Sequence, residues 1–163
     1  MPWVLLMSND LTIETIATSD AVGMADTVAL IEQFKAELGA PLEWHTRDAL
    51  PALLKRREAL IILARQEGEP VGVVIAQRNI VTFKASEALN IHDFFVTRSA
   101  RGSGVGQMLM KRTIAHARSM GCVRVTLEVD TENTNARRFY RASGFELPED
   151  GNKALHFIRL PLD

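Results

Sequence analysis

The sequence predicts a single α/β domain, in which a mixed sheet of about six to seven strands is flanked by about four helices. Short apolar runs of alternating or β-branched residues are interleaved with amphipathic stretches of helical period. A strand, a helix and another strand follow one another in the second half of the chain, which requires at least one parallel crossover. The length of 163 residues suits about one domain, so residues 1–163 are expected to fold as one.

The first elements are a strand and a long helix. Leu11–Ala17 alternates apolar and polar residues, which predicts a half-buried strand. Ser19 and Asp20 are helix-capping residue types, and Val22–Leu38 follows with apolar residues near the helical period. Gly39 is expected to end this helix.

A second, shorter helix and a hairpin come next. Thr46 or Asp48 is expected to cap the helix, which runs through Arg57. Two short apolar runs around a Gly- and Pro-containing turn then predict a β-hairpin. Its parts are Ala59–Arg65, the turn Glu67–Pro70 and Val71–Ala76.

The second half of the chain alternates strands and helices, and Gly121 and Gly144 follow the two predicted helices as stop signals. A strand that follows a helix after an earlier strand is the pattern of a parallel crossover unit. The predicted elements are, in order, the strand Leu89–Thr97, the helix Gly104–Met120, the strand Val123–Val129, the helix Asn135–Ser143 and the strand Ala154–Leu162.

Composition and charge exclude several classes of function. Nineteen basic and 20 acidic residues give a net charge of −1, which argues against nucleic acid or an anionic membrane as a partner. The single cysteine, Cys122, excludes an internal disulfide framework and fits a reducing cytoplasm. No apolar run approaches the ~20 residues of a membrane-spanning helix. The histidines lack metal-ligand spacing, so no metal is expected.

The segment Arg101–Gly106 is the most informative part of the sequence. It lies between a predicted strand and a predicted helix, and glycines alternate along it at positions 102, 104 and 106. Backbone amides can approach a ligand closely there because no Cβ intervenes. The start of the following helix adds unpaired amide donors, a combination suited to a pyrophosphate. A flexible turn without a ligand is the alternative interpretation.

Two stretches resemble the GNAT superfamily of N-acetyltransferases. Phe95–Leu109 resembles the family's strand followed by Arg/Gln-x-x-Gly-x-Gly/Ala, matched here by Arg101, Gly104 and Gly106. Asn133–Phe145 resembles the family's Asn-x-x-Ala-x-x-(aromatic)-Tyr-x-x-x-Gly-Phe stretch. One helix and one strand separate the two motifs, as in the family.

The resemblance implies that acetyl-CoA, as a co-substrate, lies in a cleft where two parallel strands, Leu89–Thr97 and Val123–Val129, splay apart. The backbone of Phe95 and Val96 would pair with the pantetheine arm, and Asn133 would hydrogen-bond that arm, although a helix-capping role is its alternative. The residues expected to hold the pyrophosphate are Arg101, Gly102, Ser103, Gly104, Val105 and Gly106.

The resemblance also implies catalytic residues. Tyr140, the only tyrosine, would protonate or hydrogen-bond the leaving thiolate; packing beside Phe139 is the alternative. His92 and Asp93 stand where the family often carries a base, and Ile91–Val96 resembles the corresponding strand of diamine N-acetyltransferases. Strict strand alternation places His92 and Asp93 on opposite faces, whereas a β-bulge changes which of them faces the acetyl group. His92, Asp93 and water remain alternatives.

The expected function is therefore direct transfer of an acetyl group from acetyl-CoA to a primary amine of a small molecule, polyamine-like or amino-acid-like. A protein or peptide N-acetyltransferase and a non-catalytic acyl-CoA sensor are the alternatives. A homodimer is left open. Residues outside the motifs that could contact the acceptor are Trp44, His45, Phe83 and Glu87.

Overall fold

The computed structural model describes residues 10–147, and the predicted last strand, Ala154–Leu162, lies outside them. The chain divides into two compact units between Thr126 and Leu127. The helices and strands are β1 Leu11–Ile16, α1 Ala21–Glu37, α2 Trp44–Arg56, β2 Leu60–Gln66, β3 Glu69–Val81, β4 Ser86–Val96, α3 Val105–Ser119, β5 Val125–Leu127 and α4 Thr134–Ala142.

The strands form one mixed sheet in the order β1-β2-β3-β4-β5. The first four strands pair antiparallel with their neighbours. Beside β4, the Val123 N–H donates to the Glu87 carbonyl (2.8 Å) and the Leu89 N–H donates to the Arg124 carbonyl (3.0 Å). The two partners advance in the same direction, which is parallel pairing. The α/β class and the crossover are confirmed, with five strands in the described residues instead of six to seven.

Helix α1 begins and ends where its sequence signals lie. The Asp20 carboxylate accepts hydrogen bonds from the backbone N–H groups of Val22 and Gly23, both at 3.1 Å. This is the N-cap interaction that satisfies amides left over at a helix start. Gly39 follows the helix with a φ of 76°, the left-handed conformation that ends many helices.

The sheet is covered on both faces, and consecutive residues of β3 show this. Val73 belongs to a buried apolar cluster with Met24 and Ile31 of α1. At the preceding residue, Gly72, a Cβ would lie 2.8 Å from Leu109 Cδ1 of α3. Since successive strand residues point to opposite faces, α1 covers one face and α3 covers the other. Gly72 is needed because α3 packs against its backbone.

Two boundary predictions are wrong for local reasons. Helix α2 begins at Trp44, with Glu43 in the capping position and no side-chain cap, so Thr46 and Asp48 lie inside the helix. The hairpin turn consists of Glu67 and Gly68, with φ values of 54° and 84°, a combination typical of tight two-residue turns. Pro70 therefore belongs to β3, opposite Arg65.

Strand β3 is also longer than predicted, and β5 is shorter. Beyond Ala76 the polar residues Gln77, Arg78 and Asn79 continue β3, because they pair with Asn90, Leu89 and Ala88 of β4. The strand period of the sequence fades there, but backbone pairing does not depend on it.

Candidate functional site

The glycine-rich loop, residues 101–106, connects β4 to α3. Gly102 and Gly104 have φ values of 78° and 91°, in the left-handed region that favours glycine. A Cβ added to either residue would meet no atom within 4 Å, so the space beside these two Cα atoms is open. The Ser103 hydroxyl donates to the Ala100 carbonyl (2.6 Å), which holds the turn in shape.

The start of α3 directs amide donors into the same region. Gly104 occupies the capping position and supplies no side-chain cap, so the N–H groups of Val105, Gly106 and Gln107 have no partner within the helix. The side chain of Val105 is 2% exposed and anchors the first turn in the core. Backbone donors at the positive end of a helix dipole suit a phosphate group. The chemistry and the open space fit the diphosphate of acetyl-CoA.

Arg101 is held by three partners. Its Nε donates to the Val96 carbonyl (2.9 Å) and its Nη2 donates to the Glu37 carboxylate (2.6 Å). The guanidinium also lies over the ring of Phe95, 5.7 Å from its centroid, within cation–π range. Arg101, one of the residues expected to hold the pyrophosphate, therefore has its side chain paired with an acid of α1.

At the end of β4, the N–H and C=O groups of alternate residues point away from β3. The Thr97 N–H donates to the carbonyl of Val71 in β3 (2.8 Å). Backbone groups of alternate strand residues point to the same side, so those of Phe95 face β3, whereas those of Phe94 and Val96 face away. Of the two residues predicted to pair with the pantetheine arm, only Val96 directs its backbone outward. The backbone of Phe94 also faces outward, which the sequence did not predict because it does not reveal the phase of a hydrogen-bond ladder.

The parallel segment beside β4 is bonded to its first half. Besides the two backbone bonds at Glu87 and Leu89, the Asn90 amide donates to Thr126 Oγ1 (2.8 Å). Strand β4 then continues to Val96, whereas β5 has three residues. The outward-facing backbone of Val96 lies in this second half of β4.

A β-bulge lies at the predicted base residues. Ile75 of β3 pairs with Asp93, and the next residue, Ala76, pairs with Ile91. His92 is therefore the extra residue on β4, and strict alternation does not hold there. Asp93 lies opposite Ile75, on the face covered by α1, while His92 is exposed. The bulge that the resemblance allowed is confirmed.

Asp93 has the more unusual environment of the two. Its carboxyl group is half-buried, and this burial raises its pKa above the ordinary aspartate value, although the charges of His92 and Lys35 act in the opposite direction. A carboxyl group with a raised pKa holds a proton more readily near neutral pH, which is what a general base requires.

In the second unit, Asn133 and Tyr140 lie at the two ends of α4. The Asn133 side-chain oxygen accepts a hydrogen bond from the Ala136 N–H (3.1 Å), so the helix-capping interpretation is what the structure shows. Tyr140 is 8% exposed, with the rings of Phe139 and Phe145 at 5.4 and 5.7 Å. Burial raises the pKa of its phenol, which keeps the hydroxyl protonated at neutral pH.

The four acceptor candidates outside the motifs fall into two pairs, one at the start of α2 and one near the β3–β4 connection. Trp44 is 75% exposed and meets the edge of the His45 ring, and His45 pairs with Glu43 (3.0 Å). Phe83 is fully exposed on the β3–β4 connection, where Glu87 pairs with Arg78 (3.1 Å). Within residues 10–147, no three His, Cys, Asp or Glu side chains form a group that could hold a metal ion. No helix in this range is long and apolar enough to cross a membrane.

Residues 27–145 match the model of the acetyltransferase (GNAT) family, a range that contains the glycine loop, the bulge and Tyr140. The chain belongs to the GNAT family of acetyltransferases. The match extends over most of the sequence, so acetyl transfer is the chemistry of this protein's family.

Related GNAT proteins and solved structures agree with this assignment. An uncharacterised N-acetyltransferase of Methanocaldococcus jannaschii is 37% identical over 98 residues, which span 60% of this chain and 43% of that protein. One from Bacillus subtilis is 26% identical over 152 residues, 93% of this chain and 99% of its own. A solved aminoglycoside acetyltransferase from an uncultured soil metagenomic sample, in complex with sisomicin, superposes with a TM-score of 0.77 at 21% identity, covering 93% and 97% of the two chains. That similarity shows the shared fold.

Proposed function

We propose that this GNAT protein takes the acetyl group from acetyl-CoA and transfers it directly to a primary amine of a small molecule, polyamine-like or amino-acid-like. The observation that carries the proposal is the glycine loop, where the first amides of α3 have no side-chain cap and a Cβ on Gly102 or Gly104 would meet no atom within 4 Å. Acetyl-CoA supplies an activated acetyl group and a diphosphate that such donors bind well. The binding residues proposed in the loop are Gly102, Ser103, Gly104, Val105 and Gly106, with the N–H of Val96 for the arm, because the Val96 carbonyl already accepts from Arg101 Nε.

The acceptor must lose a proton before it can attack. A primary amine with a pKa of ~10.4 is neutral in about one molecule in 10³ at pH 7, which costs roughly 4–5 kcal/mol. The half-buried carboxyl group of Asp93 supports a role in removing that proton or in attracting the cationic amine. His92, exposed at the same bulge, is the second candidate, and either residue can act through a water molecule.

Tyr140 is proposed as the acid that meets the departing thiolate. Its raised pKa leaves the O–H intact at neutral pH, so the phenol can donate a hydrogen bond or a proton. Most of the acceleration would come from positioning, since holding two reactants in near-attack geometry can supply ~7–11 kcal/mol.

Asn133 keeps its proposed contact to the pantetheine arm through its amide nitrogen, because its side-chain oxygen caps α4.

The proposal is tested by thiol release from acetyl-CoA over a panel of acceptors. The panel contains polyamines, amino acids, amino sugars and peptides with free N-termini, and products are identified by mass spectrometry. Acetylation of a small amine at rates far above those for peptides is expected. Turnover of peptides alone would point to a protein or peptide acetyltransferase, and coenzyme A binding without any turnover would point to a sensor.

A further inference from the structure

A closed ring of contacts joins the glycine loop to the last turn of α1. Phe34 of α1 stacks on Phe95 of β4 with centroids 5.1 Å apart. The Arg101 guanidinium lies over that same Phe95 ring. One helical turn beyond Phe34, Glu37 accepts the Arg101 Nη2 at 2.6 Å. These four residues form what we call the Arg101 clamp.

The clamp holds the last peptide of β4 from one side while β3 holds it from the other. The Val96 carbonyl accepts from Arg101 Nε (2.9 Å), and the Thr97 N–H of the same peptide donates to Val71 (2.8 Å). A peptide bonded through both its carbonyl and its amide cannot rotate without losing a hydrogen bond. The direction of the Val96 backbone, which faces away from β3, is fixed in this way.

The same contacts pair the Arg101 charge with an acid of α1. Glu37 neutralises the guanidinium, and Phe95 places it on the face of the sheet that α1 covers. Helix α3 packs against the other face, at Gly72. A carboxylate at 2.6 Å lowers the net positive charge that the guanidinium can offer to a diphosphate.

We propose that Arg101 is a positioning residue, held by Glu37 and Phe95 to fix the end of β4, and is not the charge that binds the diphosphate. The inference rests on the proposed use of acetyl-CoA, whose arm would pair with the β4 backbone. It assigns a role to Glu37, which no sequence motif marks. Displacement of a reactant by about 1 Å can cost 10²-fold in rate, so a loosened strand end lowers turnover more than binding.

Three variants separate the positioning role from a charge role. Glu37→Gln removes the negative charge of the partner, leaves only a weaker neutral acceptor for the guanidinium, and keeps the Arg101 charge. Arg101→Lys keeps a charge but cannot bond Val96 and Glu37 in the forked geometry of a guanidinium. Arg101→Gln removes both the charge and the forked hydrogen bonds of the guanidinium. The measurements are kcat with saturating acetyl-CoA, and coenzyme A affinity by calorimetry at two salt concentrations.

The clamp predicts that all three variants lose about tenfold in kcat while their coenzyme A affinity stays within about threefold of wild type. The double variant Glu37→Gln with Arg101→Gln should lose no more than either single one, since the two residues act as one unit. Glu32→Gln, which removes the ion pair between Glu32 of α1 and Arg47 of α2, is the matched control and should keep wild-type kcat.

If the Arg101 charge binds the diphosphate instead, the variants should differ in coenzyme A affinity more than in kcat. Coenzyme A would then bind more tightly to Glu37→Gln, Arg101→Lys would keep wild-type kcat, and Arg101→Gln would lose affinity and salt dependence. That pattern, or wild-type kcat in Glu37→Gln, would overturn the proposal. A failure of the proposed function itself is seen separately, in wild-type protein that neither binds coenzyme A nor acetylates an amine.

Discussion

Asp93 and Tyr140, the two groups proposed to move protons, are both in surroundings that favour their uncharged forms. Burial raises the pKa of the Asp93 carboxyl group and of the Tyr140 phenol. The two raised pKa values suit opposite tasks, because a carboxylate with a raised pKa is a better base, whereas a phenol that stays protonated can donate a hydrogen bond. Each assignment can be tested by a substitution that changes one polar atom.

Replacing Tyr140 by Phe removes the hydroxyl and keeps the ring that packs beside Phe139 and Phe145. If the hydroxyl assists thiolate departure, kcat should fall about 10²-fold or more with coenzyme A affinity nearly unchanged. The measurement is turnover under conditions where chemistry is rate-limiting, with affinity from calorimetry. Equal turnover in the two proteins would leave Tyr140 with a packing role alone.

Asp93 should make the protein less stable at neutral pH than a neutral residue would. Because its folded pKa is raised, ionisation favours the unfolded chain as the pH rises above the ordinary value of ~3.9, and the full penalty is present above the folded pKa. Asp93→Asn should therefore melt at a higher temperature than wild type at pH 7, with the difference shrinking towards pH 4. Thermal unfolding across this range measures it; a difference that grows as the pH falls would contradict the burial of this carboxyl.

The identity of the base is tested by pH profiles of kcat/KM for the acceptor. Asp93→Asn should lower the rate and remove the acidic break of the profile, whereas His92→Ala should keep it, because the carboxyl with the raised pKa is Asp93. The outcome that contradicts this assignment is loss of the break in His92→Ala alone, with activity recovering at high pH where free amine is abundant.

At the residue scale, sequence reasoning predicted the elements that carry the candidate residues better than it predicted their orientation. It placed His92 and Asp93 on β4 and Tyr140 on α4, but it could not assign faces, because one extra residue in a strand pair changes them. For Asn133 it left two roles open, and the hydrogen bond to Ala136 shows the capping role.

Among the elements, the loop and α3 were the most predictable. Alternating glycines before a run of helical period indicate both a turn with positive φ and a helix start, and both are observed. The start of α2 was wrong because a helix can begin without a side-chain cap. The extension of β3 was missed because its polar residues are held by pairing with β4.

Two glycines at opposite ends of α3 give a matched test of the loop. Gly104 and Gly121 have similar positive φ values, 91° and 73°, and open space at the Cβ position. Alanine at either site carries the same kind of backbone strain, but only Gly104→Ala places a methyl group at the amide donors. Coenzyme A affinity, measured by calorimetry, should fall about tenfold or more in Gly104→Ala and stay near wild type in Gly121→Ala. Equal affinities in the two folded variants would remove the loop from the binding site.

At the scale of the whole chain, the order of elements predicted the α/β class and the parallel crossover, since both follow from how strands and helices alternate. The Arg101 clamp could not be predicted, because Glu37 and Arg101 are 64 residues apart in the sequence. The sequence pattern around either residue contains no information about the other. Contacts between residues so far apart in the sequence depend on how α1 packs against the sheet, which the local periodicity of the sequence does not encode.

Direct transfer from acetyl-CoA to an amine is tested most directly by following both reactants and the protein in one experiment. The wild-type chain is incubated with acetyl-CoA, with and without the best amine of the panel, and thiol, N-acetyl product and intact protein mass are recorded together. The account predicts thiol release only when the amine is present, one N-acetylated product for each thiol, and a protein mass that does not change. Acetylated protein formed without the amine and discharged by it, or thiol release with no N-acetylated product, would contradict it.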